Sequence, residues 1–167
     1  MTLLDGLTGA TLIDAVPGGE VSVLAPDGTV FGSNARGQIT HYDAQLRALR
    51  TLAGARGEIS LLQVSDDGRV LMAGANDQTV SVYDTRTGTR LGTPLPADAP
   101  FISPGVLRPD GMAVAVNGKA GIIIWNLDAR HHVDQACLLA GRNLTRTEWE
   151  SYLGALGERR ATCPAFD

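Results

Sequence analysis

The chain has 167 residues, 44% hydrophobic and 19% charged, with 20 glycines and 8 prolines, which describes a turn-rich globular chain and excludes a disordered tail. Its net charge is −4 at pH 7 with Lys and Arg scattered singly, so it lacks the basic stripe from which a nucleic-acid reader draws its affinity. No run approaches the ~20 apolar residues of a membrane span, and residues 1–5 have neither the basic segment nor the apolar stretch of a secretory signal. The expectation is a cytoplasmic chain with no membrane and no nucleic-acid partner.

Read in chain order, residues 1–18 close a unit that precedes the first full repeat. Leu4-Asp5, Thr8-Gly9 and Leu12 match Tyr83-Asp84, Thr87-Gly88 and Leu91 further along, which predicts a strand over 10–16. Three repeats follow, 19–57, 58–100 and 101–128. Each carries a tight turn, Pro26-Asp27-Gly28, Asp66-Asp67-Gly68 or Pro109-Asp110-Gly111, suited to a hairpin because Gly accepts positive φ. Each also ends a strand on an aromatic: Tyr42, Tyr83 or Trp125. The turns lie 40 and 43 residues apart and the aromatics 41 and 42, so two independent markers keep one period. In the middle repeat, 59–64 and 69–74 flank the Asp67-Gly68 turn. The alternating run 79–83 follows Asn76-Asp77-Gln78, and a weaker strand is expected over 90–95. Four short antiparallel strands per repeat make one propeller blade. The third repeat stops after Trp125 without a fourth strand.

These repeats resemble WD repeats over roughly residues 19–128, with Asn76-Asp77-Gln78-Thr79-Val80-Ser81-Val82-Tyr83-Asp84 matching the family's third strand. The resemblance implies an all-β fold: a partial β-propeller of about three four-stranded antiparallel blades with a small C-terminal α-helical cap. It also implies that Asp77 joins a buried hydrogen-bond network, although Arg36 and Lys119 occupy the corresponding positions elsewhere. Tyr83 and Trp125 are expected as core anchors.

From residue 129 to 167 the pattern becomes helical. Val133, Ala136, Cys137 and Ala140 predict a helix over 132–140, with Asp134 favoured near its start. Thr145 and Glu148 form a capping box, with Leu144 and Trp149 placed as a hydrophobic staple. The second helix is expected over 146–153 with Trp149, Tyr152 and Leu153 inward. This tail, with Ala136-Cys137, Asn143-Leu144-Thr145, Glu148-Trp149, Tyr152 and Thr162-Cys163-Pro164, resembles that of actinobacterial and cyanobacterial WD-repeat signalling proteins. In those the propeller follows an effector module. Cys137 and Cys163 either pair or stay reduced and buried, and a reducing cytoplasm favours the second.

No catalytic constellation is nominated. His131, His132, Asp134 and Cys137 match no zinc spacing and read as polar residues at a helix start. Gly118-Lys119-Ala120-Gly121 reads as a turn, and His41 as a residue facing a blade surface. The resemblance implies a non-enzymatic, cofactor-free and metal-free scaffold that binds protein. Arg36, Arg56, Arg86, Arg90 and Arg108 are candidate loop contacts, with a solvated charge as the plain alternative. Two assemblies would complete the ring: covalently linked upstream blades in a longer protein, or a head-to-tail homodimer of six blades. A propeller enzyme, a hydrolase or lyase, is the remaining alternative.

Overall fold

An aspartate in every Asp-Gly turn, and a second at the end of the third strand in the first two repeats, set the strand boundaries. The structure, a computed structural model, describes every residue except 15, 17, 18, 55, 56, 98–104 and 167. The first aspartate caps the Asp-Gly turn: Asp27 Oδ1 accepts the Thr29 amide at 3.0 Å, Asp67 Oδ1 that of Arg69 at 3.0 Å, and Asp110 Oδ1 that of Met112 at 2.9 Å. The glycine after it holds φ at 83°, 71° or 73° (Gly28, Gly68, Gly111), where a Cβ is penalised. The second aspartate follows the third strand. Asp43 Oδ1 accepts the Gln45 and Arg47 amides, Asp84 Oδ1 the Thr87 amide, and Asp5 Oδ1 those of Leu7 and Thr8. Residues 5–9 therefore repeat the turn at 84–88.

Between these turns the β-branched and aromatic runs pair as antiparallel meanders. Strands β1 (Leu3–Leu4) and β2 (Thr11–Ile13) form a two-stranded sheet. Blade 1 is β3 (Ser22–Leu24), β4 (Val30–Ser33), β5 (Ile39–Tyr42) and β6 (Ala48–Leu52) in sequential order. Blade 2 is β7 (Ile59–Val64), β8 (Val70–Ala75) and β9 (Thr79–Asp84), followed by a divided fourth strand. Its two pieces, β10 (Thr89–Arg90) and β11 (Leu95–Pro96), both pair with β9, and the break falls at Gly92 with φ 72°. Among the described residues blade 3 has three strands, β12 (Gly105–Leu107), β13 (Ala113–Gly118) and β14 (Gly121–Asn126). The architecture is all-β blades followed by two helices.

The first strands of successive blades, β3, β7 and β12, are neighbours, and the blades stack through apolar faces. Phe31, Ile39 and Leu52 of blade 1 pack against Leu62, Leu71 and Tyr83 of blade 2. Each such buried side chain contributes about 2 kcal/mol. Blade 2 meets blade 3 where the Asp66 amide donates to the Pro109 carbonyl at 2.8 Å. Gly111 is seated so close there that a Cβ on it would lie 3.0 Å from Val70 Cγ2.

The chain divides into two units, Met1–Asn126 and Leu127–Asp167. In the second, α1 (Ala129–Ala140) starts earlier than the expected 132 because Asp128 caps it, accepting the Arg130 amide at 2.9 Å. Asp134 consequently lies inside the helix. Gly141, at φ 63°, ends it by donating to the Cys137 carbonyl. Helix α2 (Arg146–Leu153) carries the expected capping box between Thr145 and Glu148. Arg142 grips Glu148 with both terminal nitrogens at 2.7 and 2.8 Å; with the Thr145 amide and hydroxyl, it holds that carboxyl down to about 2.

Two expectations for this unit are corrected. Tyr152, expected inward, is 78% exposed. The tail closes over Trp149 instead, whose Nε1 donates to the Gly157 carbonyl at 2.9 Å. Cys137 and Cys163, expected reduced, are joined by a disulfide across 5.4 Å between Cα atoms. Asn143 Oδ1 accepts the Thr162 and Cys163 amides at 2.8 and 2.7 Å, bringing the tail back so that the two sulfurs meet. That local geometry, not the redox compartment, sets the pairing.

Candidate interaction surface

Strand register identifies equivalent positions in the three blades. In blade 1 Val23, Phe31 and His41 are cross-strand partners; in blade 2 the same places hold Gln63, Met72 and Val82; in blade 3 they hold Val106, Ala115 and Ile124. This face of each blade looks toward the next one. Gln63 Oε1 accepts the Leu107 amide of blade 3 at 2.7 Å, and Met72 and Val82 are buried there. The opposite face carries the aromatics: Leu24, Val30 and Tyr42; Val64, Leu71 and Tyr83; Leu107, Val114 and Trp125. Tyr83 looks back at blade 1, donating its hydroxyl to the Ala53 carbonyl at 2.7 Å, and burial pushes its phenol up. Trp125 is half-buried, and its Nε1 has no partner among the described residues.

The consequence shows in blade 3. Val106, Ile122 and Ile124 are 57%, 70% and 72% exposed, although their counterparts in blade 2, Gln63, Val80 and Val82, lie against blade 3. Val106 and Ile124, together with Pro109, Ala113 and Ala115, line a largely apolar hollow of about 370 Å³ that Arg108 also borders. Single exposed aliphatics are ordinary, but a contiguous apolar strip on a sheet face marks an interaction surface. The other end of the array shows the same signature more weakly, with Leu24 67% exposed while its counterpart Leu107 is buried.

The arginines do not gather. In an antiparallel meander the turns after the first and third strands lie at one end, and the turn after the second at the other. Arg86 and Arg108 therefore sit at the Asp-Gly end, Arg36 at the opposite end, and Arg90 within β10; Arg56 lies outside the described residues. All four described ones are exposed, and Arg108 pairs with Asp110 at 2.7 Å. Asp77 departs from the role the resemblance implied. It is exposed and, among the described residues, accepts the Thr79 amide and hydroxyl of its own turn at 3.1 and 2.6 Å, which is a turn cap and not a buried network.

Two residues that matter were missed by sequence reasoning. Gln63 ties blade 2 to blade 3, and Arg50 ties blade 1 to blade 2 by donating to the Arg86 carbonyl at 2.6 Å. The available signal was a lone amide inside the apolar run 59–64. His41 is buried and stacked on Phe31, with centroids 4.2 Å apart and planes at 9°. Neither ring nitrogen has a partner among the described residues, and burial, then the Arg50 charge, holds its pKa below the ordinary value. No cluster of three His, Cys, Asp or Glu side chains that could hold a metal occurs among the described residues, nor does a helix long and apolar enough to cross a membrane.

No family model matches the chain. Over 95 residues, 56% of its length, it is 33% identical to the periodic tryptophan protein 2 homolog of Schizosaccharomyces pombe. The chain spans only 11% of that relative. Among solved structures it is similar to the β-propeller domain of Myceliophteria thermophila Cps50 (Swd1), at TM-score 0.59 and 17% identity, covering 68% of this chain and 37% of that one. It is also similar to U3-55K, at TM-score 0.55 and 16% identity, covering 64% and 35%. The structural likenesses show the fold, that of β-propeller blades.

Proposed function

We propose that the chain is a non-catalytic protein-interaction scaffold, the C-terminal blades of a larger bacterial WD-repeat signalling protein acting in the cytoplasm. The observation that carries this reading is the outer face of blade 3, where Val106, Ile122 and Ile124 stand exposed in the register that the preceding blades bury against a neighbour. Such a face is built to receive protein, first of all a further blade of the same repeat. The non-catalytic part is supported by His41, the histidine of the blades, which is closed into an interface against Phe31.

A second reading, head-to-tail self-assembly, is favoured by one pairing. The β1–β2 sheet repeats the third and fourth strands of a blade, while β14 carries no fourth strand among the described residues. Light scattering after gel filtration, on the wild type and on Ile124→Glu, separates the readings. Heterogeneous association in the wild type that Ile124→Glu disperses supports the scaffold that awaits further blades. A dimer of defined mass, lost in the variant, supports self-assembly. A monodisperse monomer indifferent to the substitution overturns both.

A further inference from the structure

The unit from Leu127 to Asp167 has little apolar burial to hold it. Among its described residues only Trp149 and Cys163 are buried, and α1 buries no side chain. A unit this small is below the size at which a core sustains a fold by itself, and it depends on a staple. Its tail is fastened to the segment between the helices by polar contacts. Asn143 Oδ1 takes the Thr162 and Cys163 amides, Asn143 Nδ2 donates to the Phe166 carbonyl at 3.1 Å, and Arg159 Nε donates to the Leu144 carbonyl at 2.9 Å. The covalent tie from that tail to α1 is the Cys137–Cys163 disulfide. The two cysteines also differ in access, because Cys163 is 6% exposed whereas Cys137 is partly open to solvent.

We propose that this disulfide is a thiol-responsive latch, opened by a cellular thiol such as glutathione that attacks at Cys137 and releases α1 from the tail. The inference rests on the cytoplasmic location proposed above, where disulfides are characteristically transient or redox-sensing. The attacking thiolate bonds to Cys137 Sγ and breaks the bond to Cys163, which leaves as a thiolate and takes a proton from solvent. A second thiol resolves the mixed disulfide, freeing the Cys137 thiol and leaving the reductant as its own disulfide. Oxidised glutathione runs the same exchanges backward and closes the latch. Loss of the tie frees α1, which has no buried side chain to hold it, and loosens the contacts around Asn143. The blades keep their own hydrogen-bond ladders throughout.

The test uses the full chain in glutathione buffers spanning the cytosolic range, quenched by alkylation and mapped by peptide mass, with amide exchange read in parallel. The expected result is reduction within that range, with the glutathione adduct on the Cys137 peptide. Exchange over 141–166 should rise by about tenfold or more while β8 and β9 stay protected. The double variant Cys137→Ser, Cys163→Ser should show the opened pattern in every buffer. A bond that survives the most reducing buffer, an adduct on Cys163, or reduction without loss of protection overturns the latch. Fractionation that places the protein outside the cytoplasm also overturns it as a switch, but leaves the exchange rates measured in vitro unchanged, so the two failures are distinguishable.

Discussion

Blades 2 and 3 share a turn, a register and an aromatic position, yet one is covered on both faces and the other on one. Val82 and Ile124 occupy the same place in the third strand; the first is 2% exposed and the second 72%. Hydrophobic character is equal in the two, and only the neighbouring blade differs. An apolar residue in a repeat array therefore reports a face designed for contact, whether or not the contact is present. Paired substitutions turn this into a measurement. Val82→Asp buries an unpaired carboxylate between two sheets and should cost about 4 kcal/mol, enough to abolish a cooperative urea transition. Ile124→Asp, at the equivalent position on the open face, should stay within about 0.5 kcal/mol of the wild type. Equal losses from the two would show that the outer face of blade 3 is covered in solution.

The next effect is smaller and probes the joint between these blades directly. Gln63 stands where blade 1 has Val23 and blade 3 has Val106, and its side chain is what satisfies the Leu107 amide. Gln63→Leu fills the same space but leaves that amide without its acceptor, at about 1–2 kcal/mol in the urea midpoint. Exchange of the Leu107 amide should accelerate while β4 and β5 remain protected. If blade 1 loosens equally, the three blades unfold as one unit and Gln63 is no local fastener.

The turns that build this array were legible because they are local. The Asp-Gly turn after the first strand and the aromatic followed by Asp after the third each satisfy amides within two to four residues, so their spacing alone disclosed the blades. The capping box was legible for the same reason. What stayed hidden depends on partners far apart in sequence. Gln63 and Leu107 are 44 residues apart, Arg50 and Arg86 are 36, and the cysteines 26. The candidate arginines illustrate a different limit. They share charge, but Arg90 lies within β10 and strand alternation sends Arg36 to the end opposite Arg86 and Arg108, which a list of residues does not reveal.

His41 extends the comparison to blade 1, since it is the counterpart of Val82 and Ile124. Where the other blades put an aliphatic, blade 1 puts an imidazole, stacked on Phe31 and closed off from water. Burial disfavours its protonated form, and the Arg50 charge adds to this against the weaker attraction of Asp27, so its folded pKa lies below the ordinary 6.5. The unfolded chain therefore binds the proton more readily. Stability is complete above pH 6.5, falls as the pH drops from there toward the folded value, and levels off below it. His41→Val, which gives blade 1 the residue blade 2 already uses, should flatten the stability profile between 6.5 and the acid limb while preserving the fold. Urea midpoints across that range decide the matter. A profile unchanged by the substitution would leave the blade 1 interface indifferent to protons.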